Sequence, residues 1–337
     1  MRRREWGQSA KQRRAAHACD FLCQGPVPVR DVYDIIAAYS MGLEGVHRLS
    51  LKGHTKGVTA LVALPGGFLA SGSCDHNIRV WNLKIGKTVR RLKGHTERVK
   101  SLAVMHNGML ASGSGDSTVR LWNVELRQCV SVLNGHMGTV LALEVLPSGL
   151  LASGGSDYTV RVWDTDAGTC LLVLVGHTSW VTCLAVLQDG RLASGSDDYS
   201  IRLWNVATGE TSHTLSKHGG GVRALAVLPN GILASGSVDC TVRLWDVANG
   251  TDLLTITEHT HWVICLAALP DGTLASGACD GTLRVWDTNT GACLTQISNQ
   301  QAVISLAVLP NNELASSSVA SGLQLPLQHF PHVNVWE

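Results

Sequence analysis

Three residue types that could make a nucleophilic site recur along this 337-residue chain. His54, Ser71 and Asp75 would supply a base, a hydroxyl and an orienting carboxylate, the set that activates Ser for attack on an acyl group. The same spacing returns in His95, Ser112 and Asp116; His136, Ser153 and Asp157; His177, Ser194 and Asp198; His218, Ser235 and Asp239; and His259, Ser276 and Asp280. Six equivalent copies argue against catalysis, because a catalytic set is single and keeps its Ser open beside oxyanion donors. There is also no G-x-S-x-G elbow, no phosphate-cradling Gly loop ending in Gly-Lys-Ser/Thr, and no H-E-x-x-H. No catalytic residue is assigned, and the chain is not expected to be an enzyme.

A fourth residue keeps step with the three. Trp81, Trp122, Trp163, Trp204, Trp245 and Trp286 follow one another at intervals of 41 residues, the period of a repeat array. A buried indole N–H needs an acceptor; a Ser hydroxyl can accept it and donate onward to an imidazole, whose far N–H a carboxylate accepts. The elements that must hold such a set are legible in Gly94–Asn123. Val99, Ser101, Ala103 and Met105 alternate with Lys100, Leu102 and Val104, Asn107-Gly108 turns the chain into MLASGS, and Asp116 opens a tight turn into TVRLWN. Segments such as CVSVLNGH make a fourth strand. Both faces of these strands are apolar, so each sheet must be covered on two sides, which radial stacking around an axis achieves.

Gly-His at 53–54, 94–95, 135–136 and 176–177, with Trp followed by Asp or Asn in the regular copies, makes these units resemble tryptophan–aspartate (WD) repeats from Gly45 to the end. A seventh, irregular copy ends at Trp336. Resemblance and count together imply an all-β fold: a seven-bladed β-propeller of four-stranded antiparallel blades over 45–337. The stretch Val46–His54 is expected to close it by completing the last blade. The resemblance also implies that each His, Ser, Asp and Trp quartet is a structural tetrad.

Binding in this family resembles a use of three top-face positions per blade. The third residue after the His is Gly57, Arg98, Thr139, Trp180, Gly221 or Trp262; the fifth is Thr59, Lys100, Leu141, Thr182, Arg223 or Ile264. Before the turn Asp stand Cys74, Gly115, Ser156, Asp197, Val238 and Cys279. Arg98, Lys100, Trp180, Arg223, Trp262 and Asp197 are the expected partner-binding residues, since aromatic and Arg side chains dominate interface energetics. A Trp here has packing across the channel mouth as its other reading.

Net charge is +1, so the whole molecule has no polyanion-binding character. Residues 1–20 carry six Lys or Arg against two acids, +4, leaving −3 for the rest. Residues 1–27 are expected to be a disordered basic tail, either solvated or serving as a nuclear-import address. Residues 28–43 place Val32, Ile35, Ile36 and Tyr39 at helical spacing. Their VRDVYDIIAAYS is faintly similar to the first helix of an F-box; the short helix is read either as a cap on the array or as an adaptor contact. The ten cysteines are expected to be reduced, since several take repeat positions where sister copies carry Val, Thr or Ala. His17, Cys19 and Cys23 lack a second ligand pair, so no metal is expected.

Toward the end the array frays. Gly-His becomes Lys217-His218, Glu258-His259 and Ser298-Asn299, and Ala320 replaces the last turn Asp. An insert, Ser321–Pro331, brings Leu323, Leu325, Leu327 and Phe330; it is either an apolar partner loop or an error in the coding sequence. With no membrane span and no signal peptide, the expected protein is an intracellular scaffold, cytoplasmic with a nuclear option. It would bind a protein or peptide on its top face, without cofactor, as a monomeric propeller within a larger complex, with nucleic-acid contact confined to the tail. The alternatives are a substrate-recognition subunit of a cullin-type ubiquitin ligase and, more remotely, a propeller hydrolase.

Overall fold

A computed structural model describes residues 34–37, 49–298, 301–310 and 312–319. The alternating apolar segments form antiparallel strands throughout, and no helix occurs among the described residues. Six blades of four consecutive strands occupy 58–92, 99–133, 140–174, 181–215, 222–256 and 263–298. In blade 2 these strands are Val99–Val104, Leu110–Ser114, Val119–Asn123 and Gln128–Leu133, and the other five follow the same plan. The first strands pack side by side, each against its neighbours in the next blades.

The chain therefore carries six blades of the repeat type rather than the seven expected. The other four described strands make a composite sheet, ordered Leu49–Lys52, Asp34–Ala37, Leu314–Val319, Ala302–Val308. Its inner strand packs on the first strands of both blade 6 and blade 1, so the circuit of inner strands is unbroken. Ser317 donates to the Val58 carbonyl at 3.3 Å, and Ser305 Oγ accepts from the Leu61 N–H at 3.1 Å. These bonds tie the two ends of the array together.

The helix expected over 28–43 is corrected. Asp34–Ala37 is a strand, with Ile36 opposite Ser50 on one side and Ser316 on the other. Two adjacent β-branched residues suit a strand, and the strands on either side present backbone donors and acceptors that need partners. Tertiary demand overrides the helical spacing, and the F-box likeness loses its helix at these residues. The tail, the rest of 28–43, the insert and Trp336 lie outside the described residues.

Blade contacts explain two further features of the repeat. The second strand of each blade is buried, and its Gly lies against the Val that opens the next blade. A Cβ on Gly154 would stand 2.6 Å from Val181 Cγ1. The Gly of Gly-His is just as constrained: a Cβ on Gly53 would stand 2.8 Å from Arg79 Nη1 and 3.0 Å from the Trp81 ring. In blade 6 that Gly is Glu258, whose carboxylate instead accepts from Arg284 at 2.6 Å.

Candidate functional site: the mouth of the inner channel

In all six blades the His, Ser, Asp and Trp come together in one way. Trp Nε1 donates to Ser Oγ at 2.7–2.8 Å. His Nε2 lies 2.7–2.8 Å from the same oxygen. His Nδ1 lies 2.7–2.9 Å from Asp Oδ2. A Ser hydroxyl that accepts from Trp keeps its own proton to donate to Nε2, and in that tautomer the imidazole N–H at Nδ1 faces the carboxylate.

The Asp is bound from several directions. In blade 3, Oδ2 of Asp157 also accepts the Met137 N–H at 2.9 Å, and Oδ1 accepts the Thr159 N–H and hydroxyl at 3.2 and 2.9 Å. Burial works against the charge, but the hydrogen bond from His136 and the others outweigh it, so the carboxyl is held well below the usual range. Asp75, Asp116, Asp198, Asp239 and Asp280 are depressed in the same way. The six Ser side chains are 0% exposed, so no substrate carbonyl can reach a hydroxyl. What these sets do is pin the loop that carries the His to the turn that carries the Asp.

That pinning brings the three variable positions together. In every blade the N–H of the residue before the Asp donates to the carbonyl of the third residue after the His. Cys74 bonds Gly57, Gly115 bonds Arg98, Ser156 bonds Thr139, Asp197 bonds Trp180, Val238 bonds Gly221 and Cys279 bonds Trp262, each at 2.9 Å. The fifth-position residues occupy a β-bulge. The ladder of blade 1 steps from Val58 to Ala60 and leaves out Thr59; those of blades 2 to 6 leave out Lys100, Leu141, Thr182, Arg223 and Ile264. A bulge re-aims a side chain and ends pairing, here at the end of the innermost strand.

The expected binders do not all stand open. Arg223 and Asp197, with side chains only 9% and 7% exposed, are paired with each other across two blades. Thr59 and Thr182 are committed in a related way, donating to the Val99 and Val222 carbonyls of the next blade. Trp262 is half-buried, its ring 5.0 Å from that of His261. Trp180, Arg98 and Lys100 are also half-buried.

Sequence reasoning missed three exposed apolar residues at this end of the molecule. Met137, just after His136, is 92% exposed, and Tyr158 and Tyr199, just after Asp157 and Asp198, are 45% and 36% exposed. Both Tyr residues hold positive φ, 71° and 74°, where Tyr is an outlier. The available signal was an aromatic residue following the turn Asp, where blade 6 has Gly281.

No metal-ligating cluster of His, Cys, Asp and Glu occurs among the described residues. Nor does any helix there have the length and apolarity to cross a membrane. A comparison with curated proteins finds no match. The family model for the WD domain, G-beta repeat, matches six times, at 45–82, 86–123, 127–164, 168–205, 209–246 and 250–287. Each match begins one strand before a blade, so the first supplies Leu49–Lys52 to the composite sheet. Together the six matches span well over half of the sequence, and the chain belongs to the WD-repeat family.

Proposed function

We propose that this protein is an interaction scaffold that holds a peptide or partner protein across the mouth of its inner channel. WD-repeat propellers are a general protein-interaction scaffold fold. The observation that carries the reading here is the bulge at the head of each inner strand. It turns one residue per blade out of the ladder, beside the pair joined by the 2.9 Å backbone bond. Those residues vary among the blades, whereas the His, Ser, Asp and Trp sets beneath them repeat. Trp180 and Trp262 flank blade 5, which carries Gly219, Gly220 and Gly221 between them. Met137, Tyr158 and Tyr199 extend the apolar surface outward, and Arg98 and Lys100 contribute positive charge.

In the same reading Arg223 and Asp197 brace the mouth rather than contact the partner. The ligase reading needs an adaptor helix within residues 28–43, and four of those residues are strand.

The test is the joint change Trp180→Ala and Trp262→Ala, followed by recovery of bound proteins. Loss of partners with the β-sheet circular dichroism signal intact supports the reading. Unchanged recovery removes the mouth as the site.

A further inference from the structure

Charge is segregated along this nearly neutral chain. Residues 45–93 hold nine Lys or Arg against one acid, Asp75, a net of +8. Residues 94–337 hold eleven Lys or Arg against twenty acids, a net of −9. Asp75 is itself consumed by His54. The excess gathers on the outer strand of blade 1, Lys87–Leu92, and its flanks, where Lys84, Lys87, Arg91 and Lys93 are exposed.

The repeat provides an internal control. The third strand of every blade carries an Arg two residues before its Trp, and the ladder sets one outer-strand residue opposite it. Arg120 faces Val132, Arg161 faces Val173, Arg202 faces Thr214, Arg243 faces Thr255 and Arg284 faces Gln296. In blade 1, Arg79 faces Arg91. Like charges directly opposite are destabilising, and the strain registers on Arg79, whose pKa is lowered first by burial and then by Arg91. Charge also guards an edge strand against unwanted pairing, yet the outer strands of blades 2, 3 and 6 carry no charged residue at all.

Elsewhere the same row of Arg shows what it takes up. Arg243 pairs with Asp252, and Arg284 with Glu258 at 2.6 Å. On the blade 1 strand, Arg90 already holds the carboxylate of Glu125, which reaches over from blade 2. Arg79, Arg120 and Arg161 donate instead to the side chain nine residues on, Thr88 Oγ1, Cys129 Sγ and Cys170 Sγ, so where an anionic side chain meets these rows, at Arg243, Arg284 and Arg90, it is a carboxylate that binds the guanidinium. The strand that bears the excess pairs on one side only, being last in its sheet, so its other backbone edge is available to an added strand. Ile85, 59% exposed between Lys84 and Lys87, adds an apolar anchor at one end.

We propose that the outer strand of blade 1 is a docking surface for an extended acidic segment of a partner protein, which adds to the strand edge and places carboxylates against Arg79, Arg91 and the flanking lysines. It lies on the circumference, separate from the channel mouth. Side chains two apart on an added strand recur at roughly 7 Å, so acids at alternate positions would face one row of basic groups.

The test uses a fluorescein-labelled peptide of alternating Glu and Val, about ten residues long to cover a strand of ordinary length. A Gln-and-Val peptide of equal length is the control. The protein variant Lys87→Gln, Arg91→Val and Lys93→Asn borrows Gln128, Val132 and Asn134 from the sister strand of blade 2, so folding is preserved by precedent. The acidic peptide should bind the unaltered protein, more weakly as salt rises, and the triple variant should bind it at least roughly tenfold more weakly. N-methylation of alternate peptide nitrogens on the pairing edge should weaken binding without changing charge, and Trp180→Ala with Trp262→Ala should leave it intact. Equal binding of the Gln peptide, or no loss in the triple variant, overturns the proposal. So does tighter capture of a single-stranded oligonucleotide or of phosphatidylserine vesicles, or dependence on the two Trp residues.

Discussion

Arg223 of blade 5 reaches back to Asp197 of blade 4, donating from Nη2 to Oδ2 at 3.0 Å and lying 2.9 Å from Oδ1, off-axis for a second hydrogen bond. Both side chains are nearly excluded from solvent. Burial pushes the Asp197 carboxyl up to about 6, against the opposing pull of Arg223. The folded state thus holds this proton more tightly than the unfolded chain. Ionisation of Asp197 costs stability as pH rises from about 4 through 6. Arg223→Met should destabilise by about 3 kcal/mol at neutral pH, because it strands a buried charge, and should steepen that loss with pH. Adding Asp197→Asn should restore most of the stability. Urea unfolding of the single and double variants across pH 4–8 checks this; equal stability of single and double variants would refute the coupling.

The six tetrad carboxylates act in the opposite direction. Each is held below its unfolded value, so each contributes stability that is present above the ordinary carboxylate range and lost as pH falls toward the folded pKa. Six such groups predict a steep acid transition with several protons taken up. Asp157→Ala leaves the His136 donor and the Met137 N–H without this acceptor, at a cost of about 1–3 kcal/mol. It should also lower the number of protons bound on acid unfolding by close to one, measurable by potentiometric titration. An unchanged proton count would show that the carboxylate carries no such linkage.

Glu144 breaks the repeat from within. Its position on the innermost strand is Ala103, Ala185, Ala226, Ala267 or Ala307 in sister sheets, and Val62 in blade 1. Burial raises its pKa to about 7. Because the folded pKa is the higher one, the carboxylate favours folding least above pH 7, and stability falls as pH climbs from about 4.5 through 7. Glu144→Ala should therefore stabilise by about 1–3 kcal/mol at pH 8 and by little at pH 4. Thermal melts at the two values decide it; equal effects at both would attribute any gain to packing alone.

The repeat was open to sequence reading because its physics is local and reiterated. Trp81 needs Ser71, Ser71 needs His54, His54 needs Asp75, and a spacing kept six times is hard to produce by any other constraint. The bulge at Thr59 or Arg223 was invisible, since one unpaired residue does not change the apolar pattern on either side of it. So was the pairing of Arg223 with Asp197, which are 26 residues apart and belong to different blades. Asp34–Ala37 misled for a related reason. Its helical spacing is a property of the segment, whereas its strand conformation comes from Leu49–Lys52 and Leu314–Val319, hundreds of residues apart, between which it is bonded. Only the assembled sheet contains that information.

Tyr158 and Tyr199 separate stability from binding. Each adopts a left-handed backbone that glycine adopts at no steric cost, as Gly281 does in the same turn of blade 6 at φ 77°. Ser117 holds the same geometry in blade 2 without an aromatic side chain, φ 66°. Relief of the backbone should make Tyr158→Gly, Tyr199→Gly and Ser117→Gly each more stable by up to about 1 kcal/mol, offset in part by the greater entropy of the unfolded chain. If the two aromatic rings are retained for contact at the channel mouth, the Tyr variants should recover less partner despite their stability, while Ser117→Gly recovers as much as the unaltered protein. Unfolding curves and partner recovery on the same three proteins make the comparison. Full recovery by both Tyr variants would leave the exposed rings without a role in binding and return the mouth to Trp180, Trp262, Arg98 and Lys100.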